Sequence, residues 1–271
     1  MGQLSGRSIR TFVLRQGRLT DGQQRSLDLY WSDYGIDVNP DDGICTKPVV
    51  AKNATLASTD SEPDDTEPAD SGAVIRDESF AADRIDLDQH FETGADVWME
   101  IGIGNGAALV YMAERNPSIN FLGVEVHLPG VGHALGEIAN AGLGNVRLIR
   151  YDAMDLIEHF MLPASVDRVL IYFPDPWHKS RHHKRRLVNE KFLSMLAKPL
   201  RPSGLIHFAS DWVPYAQQVQ SAVAQHPQYE IIPDSEESAA IIRLRPETHF
   251  ERRGLRLGHK VTDLVIRKKS P

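Results

Sequence analysis

Cysteine is nearly absent from this 271-residue chain. The single thiol, Cys45, excludes an internal disulfide and points to a reducing compartment, the cytoplasm. Long apolar runs are missing as well. None approaches the ~20 residues that a helix needs to cross a bilayer, so no membrane partner is expected. The stretch from Met1 to Arg10 lacks the apolar centre of a secretion signal. What is present suffices for a packed core: 41% of the residues are hydrophobic, enough for one large domain or two small ones.

A net charge of −7 argues at first against a nucleic-acid partner. Its distribution points the other way. Between Asp60 and Glu92 twelve acids face only Arg76 and Arg84, so this stretch carries −10 and the remainder of the chain +3. Local charge, not the total, steers association. The spacing predicts an arm over 1–37, with scattered arginines and the aromatics Tyr30, Trp31 and Tyr34. An acidic insertion rich in Asp, Pro, Ser and Thr follows over 38–80, expected to be a disordered spacer because it cannot offset its own ordering entropy. An α/β domain over 81–271 completes the chain.

Within that domain, apolar runs alternate with helical periodicity. Strands are expected at 97–101, 119–126, 146–150, 166–173 and 204–209, and helices at 106–115, 130–141, 189–198 and 213–225. A short helix follows Asp152. Two further strands, 229–232 and 261–267, are joined by a long basic loop. Such alternation implies a doubly wound, Rossmann-like parallel sheet with helices on both faces. No internal repeat is visible.

The first strand runs into Glu100-Ile-Gly102-Ile-Gly104-Asn-Gly106. Glycines at a strand-to-helix turn let a ligand approach the backbone, beside the N–H groups of a helix start. Gly102, Gly104 and Ala107 also fit a dinucleotide fingerprint, so the turn alone leaves NAD open. The acids narrow the choice. Glu100 precedes the glycines, Glu125 ends the second strand, and Asp152 follows the third. A carboxylate ahead of the glycines repels a pyrophosphate but suits a donor bearing an ammonium and a sulfonium. Glu125 suits ribose hydroxyls and Asp152 an adenine amino group. S-adenosylmethionine fits this set better than NAD.

The fourth strand ends in Phe173-Pro-Asp-Pro-Trp-His-Lys179. Asp175 lies between two prolines, each of which restricts backbone freedom. Lys179, Arg181, His182, His183, Lys184, Arg185 and Arg186 form a cationic run suited to several phosphates, so RNA is the expected partner. The histidines lack the partners and spacing of a zinc site, and no metal is expected. Asp211, at the end of the fifth strand, and Thr248-His249-Phe250-Glu251 in the basic loop are weaker signals.

These segments, with Arg7-Ser-Ile-Arg-Thr-Phe12, resemble the bacterial tRNA (guanine-N7-)-methyltransferases over 1–36 and 95–269. The resemblance implies a class I S-adenosylmethionine-dependent methyltransferase sheet, mostly parallel with an antiparallel C-terminal strand. It implies donor binding by Glu100, Glu125, Asp152 and Asp175 along with the glycine turn. It also implies tRNA contact by Lys179, 181–186, Asp211 and Thr248–Glu251, and guanosine 46 of the variable loop as target. Asn105 and Ala108 stand where the family carries Met and Ser. On this reading Asp175 is the catalytic carboxylate, and Trp177, Trp212 and Phe250 are candidates to stack on the base. The alternative is an RNA-binding module on an inactive methyltransferase fold. Oligomeric state is not legible.

Overall fold

A computed structural model describes residues 11–12, 18–38, 84–91, 94–248, 251–252, 256, 258 and 260–270. The acidic insertion, apart from its first residue Val38, lies outside the described residues.

The most apolar runs occupy the centre of the sheet. Strands β1 (Val97–Ile101) and β2 (Asn120–Val124) are buried along their whole length. Strands covered by helices on both faces need such continuous runs. β3 (Val146–Ile149), β4 (Val166–Tyr172), β5 (Leu200–Ser210), β6 (Tyr229–Ile231) and β7 (Thr262–Lys268) complete a seven-stranded sheet in the order β3-β2-β1-β4-β5-β7-β6. β1 to β5 pair in parallel, whereas β7 is antiparallel to both β5 and β6. Strand order reverses between β1 and β4, and the crevice beyond their carboxyl ends is where ligands of such sheets bind.

Alternation along β1 divides the core. Met99 and Ile101 join Leu122, Ile149, Val169, Phe192 and Phe208 on one face. Trp98 joins Leu109, Phe121, Leu135, Leu148 and Leu170 on the other. Helices α2 (Ala107–Arg115) and α3 (Leu128–Asn140) contribute to the second cluster, α5 (Glu190–Leu196) and α6 (Val213–Gln225) to the first. Between β3 and β4 stand the single-turn α4 (Ala153–Asp155) and a π-helical turn, Leu156–Phe160.

Two helices depart from the sequence expectation. Helix α1 (Asp21–Tyr34) opens with a capping box: the Thr20 hydroxyl accepts from the Gln23 N–H, and the Gln23 side chain accepts from the Thr20 N–H. It packs on the glycine face of α3, where a Cβ on Gly132 would lie 2.8 Å from the Gln23 carbonyl oxygen and one on Gly136 would lie 2.9 Å from Ser26 Oγ. Just past α1, the Ile36 N–H donates to the Leu148 carbonyl at 2.8 Å, which fastens the chain to the β3 edge. Helix α7 (Glu236–Ile242), capped by Ser235, lies within the segment expected to be loop. β5 also starts earlier than expected and runs through Pro202-Ser203-Gly204, where Ser203 takes a left-handed φ of 62°.

Candidate active site

The glycine turn follows β1 at the switch point. Gly102, Gly104 and Gly106 have φ values of 78°, 57° and 82°, which L side chains rarely adopt. The turn is stitched to β2 from both sides. Gly102 donates its N–H to the Val124 carbonyl at 2.8 Å, and Gly104 donates to Glu125 Oε2 at 2.9 Å. The other oxygen of Glu125 accepts from the N–H groups of Val126 and His127 at 2.7 and 2.9 Å. A Cβ on Gly130, near the start of α3, would come within 2.2 Å of the Gly104 carbonyl oxygen, so helix and turn are in backbone contact. Asp152 caps α4, its Oδ1 accepting from the N–H groups of Met154 and Asp155.

Glu100 is the anomalous member of the set. It is 3% exposed, and its Oε2 has no hydrogen-bond partner. Burial, reinforced by the charge of Glu125, pushes its carboxyl up to about 8. A buried acceptor left unsatisfied is costly and calls for a functional explanation. A cationic group is what this oxygen suits, and added Cβ atoms on Gly102 and Gly104 would meet nothing within 4 Å. Open space at the turn, and an unsatisfied carboxyl just ahead of it that a cation would ionise, fit the ammonium and sulfonium of S-adenosylmethionine.

Across the switch point, β4 delivers the Pro-Asp-Pro loop. The Phe173 N–H still pairs with the Ala209 carbonyl at 2.8 Å, continuing the β4–β5 ladder. Phe173 and Trp177 then take left-handed φ values of 51° and 46° on either side of Pro174-Asp175-Pro176. Strained backbone of this kind persists only where its surroundings hold it, and it concentrates at functional sites. Asp175 is exposed at the tip and faces solvent, not the core. Trp177 is engaged on several sides: its indole N–H donates to the Thr11 carbonyl at 3.2 Å, the Arg185 guanidinium lies 5.1 Å from its ring and His182 packs edge-on at 5.7 Å. The Trp212 ring meets His178 at 4.2 Å.

The cationic run forms a 3-10 helix, Ser180–Arg185, directly after this loop. Lys179, Arg181 and Lys184 are exposed, and His182, His183 and Arg185 are half-buried. Arg186 does not share this face, contrary to the expectation of phosphate contact. It is 2% exposed. Its Nε donates to the Pro176 carbonyl at 2.8 Å and its Nη1 to Gln218 Oε1 at 2.6 Å. A guanidinium sealed in this way has no room for a phosphate.

Asp211 directly follows the carboxyl end of β5, on the same edge of the sheet. Thr248 and Glu251 reach that edge through Arg245, a residue that nothing in the sequence pattern singles out. The Arg245 side chain is 6% exposed and forms two bonds with Glu251 and two of 3.0 Å with Asp263. Its guanidinium also lies 5.5 Å from the Phe173 ring. Thr248 Oγ1 accepts from the Glu251 N–H at 3.1 Å. The Glu251 carboxylate is therefore committed to holding the turn. Burial raises the Asp263 carboxyl, but hydrogen bonds from His207 and Arg245 outweigh this and leave it below the usual range. His249 and Phe250 lie outside the described residues. A cleft of about 430 Å³ lies between Trp31 and Asp28 of α1, Leu128 and Arg150, and no expected site residue lines it.

A family model described as "Putative methyltransferase" matches residues 95–264. A tRNA (guanine-N(7)-)-methyltransferase of Halorhodospira halophila is 40% identical over 96% of this chain and 95% of its own length. Proteins of the same name from Shewanella amazonensis and Pseudomonas aeruginosa are 37% and 38% identical, each over 97% of this chain and over 92% and 90% of their own lengths. The chain belongs to the tRNA (guanine-N7-)-methyltransferase family. Its methyl donor is S-adenosylmethionine. The carboxyl edge of the sheet carries the glycine turn with Glu100, Glu125 and Asp152 on one side of the switch point, and the Asp175 loop with the cationic 3-10 helix on the other. Arg245 lies against the Phe173 ring, and Gln218 and Tyr215 lie against the Arg186 guanidinium; nothing in their sequence context distinguishes these three from ordinary surface or core residues.

Proposed function

We propose that this chain methylates N7 of guanosine 46 in the tRNA variable loop, with Asp175 as the catalytic carboxylate. Family membership carries the reaction itself, methyl transfer to guanine N7 in tRNA. The observation that favours Asp175 is its placement: an exposed carboxylate on a proline-locked loop, across the switch point from the unsatisfied carboxylate of Glu100.

S-adenosylmethionine supplies an electrophilic methyl on a sulfonium, which guanine N7 can accept through its in-plane lone pair. N7 carries no proton, so no general base is needed, and the methylated purine is cationic. The protein's task is therefore positioning and preorganised negative potential. Asp175 holds the base edge and stabilises the developing charge. Its flanking prolines and the strained Phe173 and Trp177 limit the reorganisation this requires. Glu100 takes the donor ammonium, Glu125 the ribose hydroxyls and Asp152 the adenine amino group.

N7 faces the deep, narrow groove of A-form RNA, closed to side chains. The guanine must come from a loop or be extruded, which costs a few kcal/mol of stacking. Lys179, Arg181, Lys184 and Arg185, with His182 and His183, grip the surrounding phosphates. The 81–271 domain is the catalytic unit, and the cytoplasm is its compartment.

Incubating tRNA with labelled donor and mapping the product tests the target; methyl on any other nucleotide removes the position assignment. Asp175→Ala is expected to lower single-turnover methylation by roughly 100-fold or more, with donor affinity much less affected. Wild-type rates in that variant would remove its catalytic role.

A further inference from the structure

Arg186 is a cation that the RNA face leaves unused. Its hydrogen-bond acceptors are neutral, its Nη2 has no partner, and among the described residues no carboxylate pairs with it. Burial lowers its pKa, which reflects how poorly this environment accommodates the charge. A buried cation without a counter-charge is expensive, so an incidental place on a solvated helix does not account for it.

What the charge touches is the active-site loop. Arg186 Nε donates to the carbonyl of Pro176, the residue after Asp175. Nη1 donates to Gln218 on α6, and the guanidinium lies 5.1 Å from the ring of Tyr215, one turn earlier on the same helix. Tyr215 is anchored in turn, its hydroxyl accepting from the Val188 N–H at 2.9 Å. The negative charge of Asp175 is felt at this tyrosine, which places the carboxylate within electrostatic range of the clamp. Left-handed Phe173 and Trp177 bracket a loop that would relax without such support.

We propose that Arg186 is a positioning residue: it ties the Pro176 carbonyl to α6 and so fixes the Asp175 carboxylate at the switch point, without contacting tRNA. The proposal rests on the assignment of Asp175 as the catalytic carboxylate.

The test compares full-length Arg186→Met, Arg186→Lys, Gln218→Leu and Asp175→Asn. It reads single-turnover methylation at saturating tRNA, the tRNA Kd across a salt series, and donor affinity. Losing a charge-assisted hydrogen bond to the loop lowers the single-turnover rate roughly 10- to 100-fold in Arg186→Met. The salt slope of tRNA binding keeps its wild-type value, because no phosphate contact is lost. Arg186→Lys recovers part of the rate, since an ammonium can still reach the Pro176 carbonyl but cannot present the same fork to Gln218. Gln218→Leu shows a smaller loss of the same kind and decides the question if Arg186→Met does not fold. A salt slope reduced by about one unit, with the rate at saturating tRNA unchanged, would overturn the proposal. So would wild-type turnover in both Arg186→Lys and Gln218→Leu. Asp175→Asn separates the two assignments. Wild-type turnover there removes the catalytic assignment itself, whereas an inactive Asp175→Asn beside an unimpaired Arg186 series removes only the clamp.

Discussion

Burial raises the Glu100 carboxyl to about 8, with the Glu125 charge acting in the same direction. In the unfolded chain the same group titrates near 4.5. The native state therefore holds a proton that the unfolded state gives up. Its stabilising effect is complete below the unfolded value and is lost as pH rises through about 8. Glu100→Gln removes that dependence. Without donor, thermal unfolding followed from pH 5 to 9 should show the variant overtaking the wild type as pH rises, while its donor affinity falls roughly 10- to 100-fold. A variant that tracks the wild type at every pH would show that Glu100 is not protonated in the native state. Binding a cationic donor near neutral pH should also expel the proton, seen as a buffer-dependent calorimetric heat. At this scale the sequence is only partly legible. Glu100, Glu125 and Asp175 can be picked out because strand ends and prolines mark their places. Arg185 and Arg186 are neighbours of one type, and only the turn of the 3-10 helix sends one outward and the other beneath the loop.

Elements were legible where one physical signal dominated. β1 and β2 are mostly apolar and buried along their whole length because both their faces are covered, and the switch-point turn follows directly from β1. α1 gives a weak signal because Leu27 is its only buried residue, and its docking depends on glycines of α3 that read as helix breakers in isolation. β5 is masked at its start by Pro202-Ser203-Gly204, which reads as a turn. The α1–α3 contact yields a direct test. Gly132→Ala puts a methyl 2.8 Å from the Gln23 carbonyl oxygen, a backbone atom that cannot swing away. The expected cost is about 1–3 kcal/mol of overpacking, seen in the denaturation midpoint, with faster exchange of the Ile36 amide where the arm meets β3. Gly22→Ala is the control: its added methyl meets nothing within 4 Å, and it should be neutral or slightly stabilising. Equal midpoints for the two variants would show that α1 is not seated on α3 as described.

For the molecule as a whole, the acidic stretch and the cationic face make opposing demands on tRNA. Residues 41–75 hold eight acids against Lys47 and Lys52, a net charge of −6, yet none of the site residues named above falls within them. Deleting them should leave single-turnover methylation intact, because the donor crevice, the Asp175 loop and the cationic helix all lie on the described sheet and its connections. Association is where an effect belongs. Charges separated by more than a Debye length, about 8 Å at physiological salt, are largely screened, so removing −6 should raise kcat/KM for tRNA at low salt and leave it unchanged near ~0.15 M. Measuring kcat/KM across ionic strength for the deletion and the intact chain distinguishes the cases. A gain confined to low salt marks the stretch as a long-range repulsive field. A gain that persists at physiological salt requires the acids to sit against the cationic face itself, competing with phosphates for Lys179, Arg181, Lys184 and Arg185. Loss of methylation in a deletion chain that melts normally would mean that the stretch contributes to the site, and the spacer reading would fall.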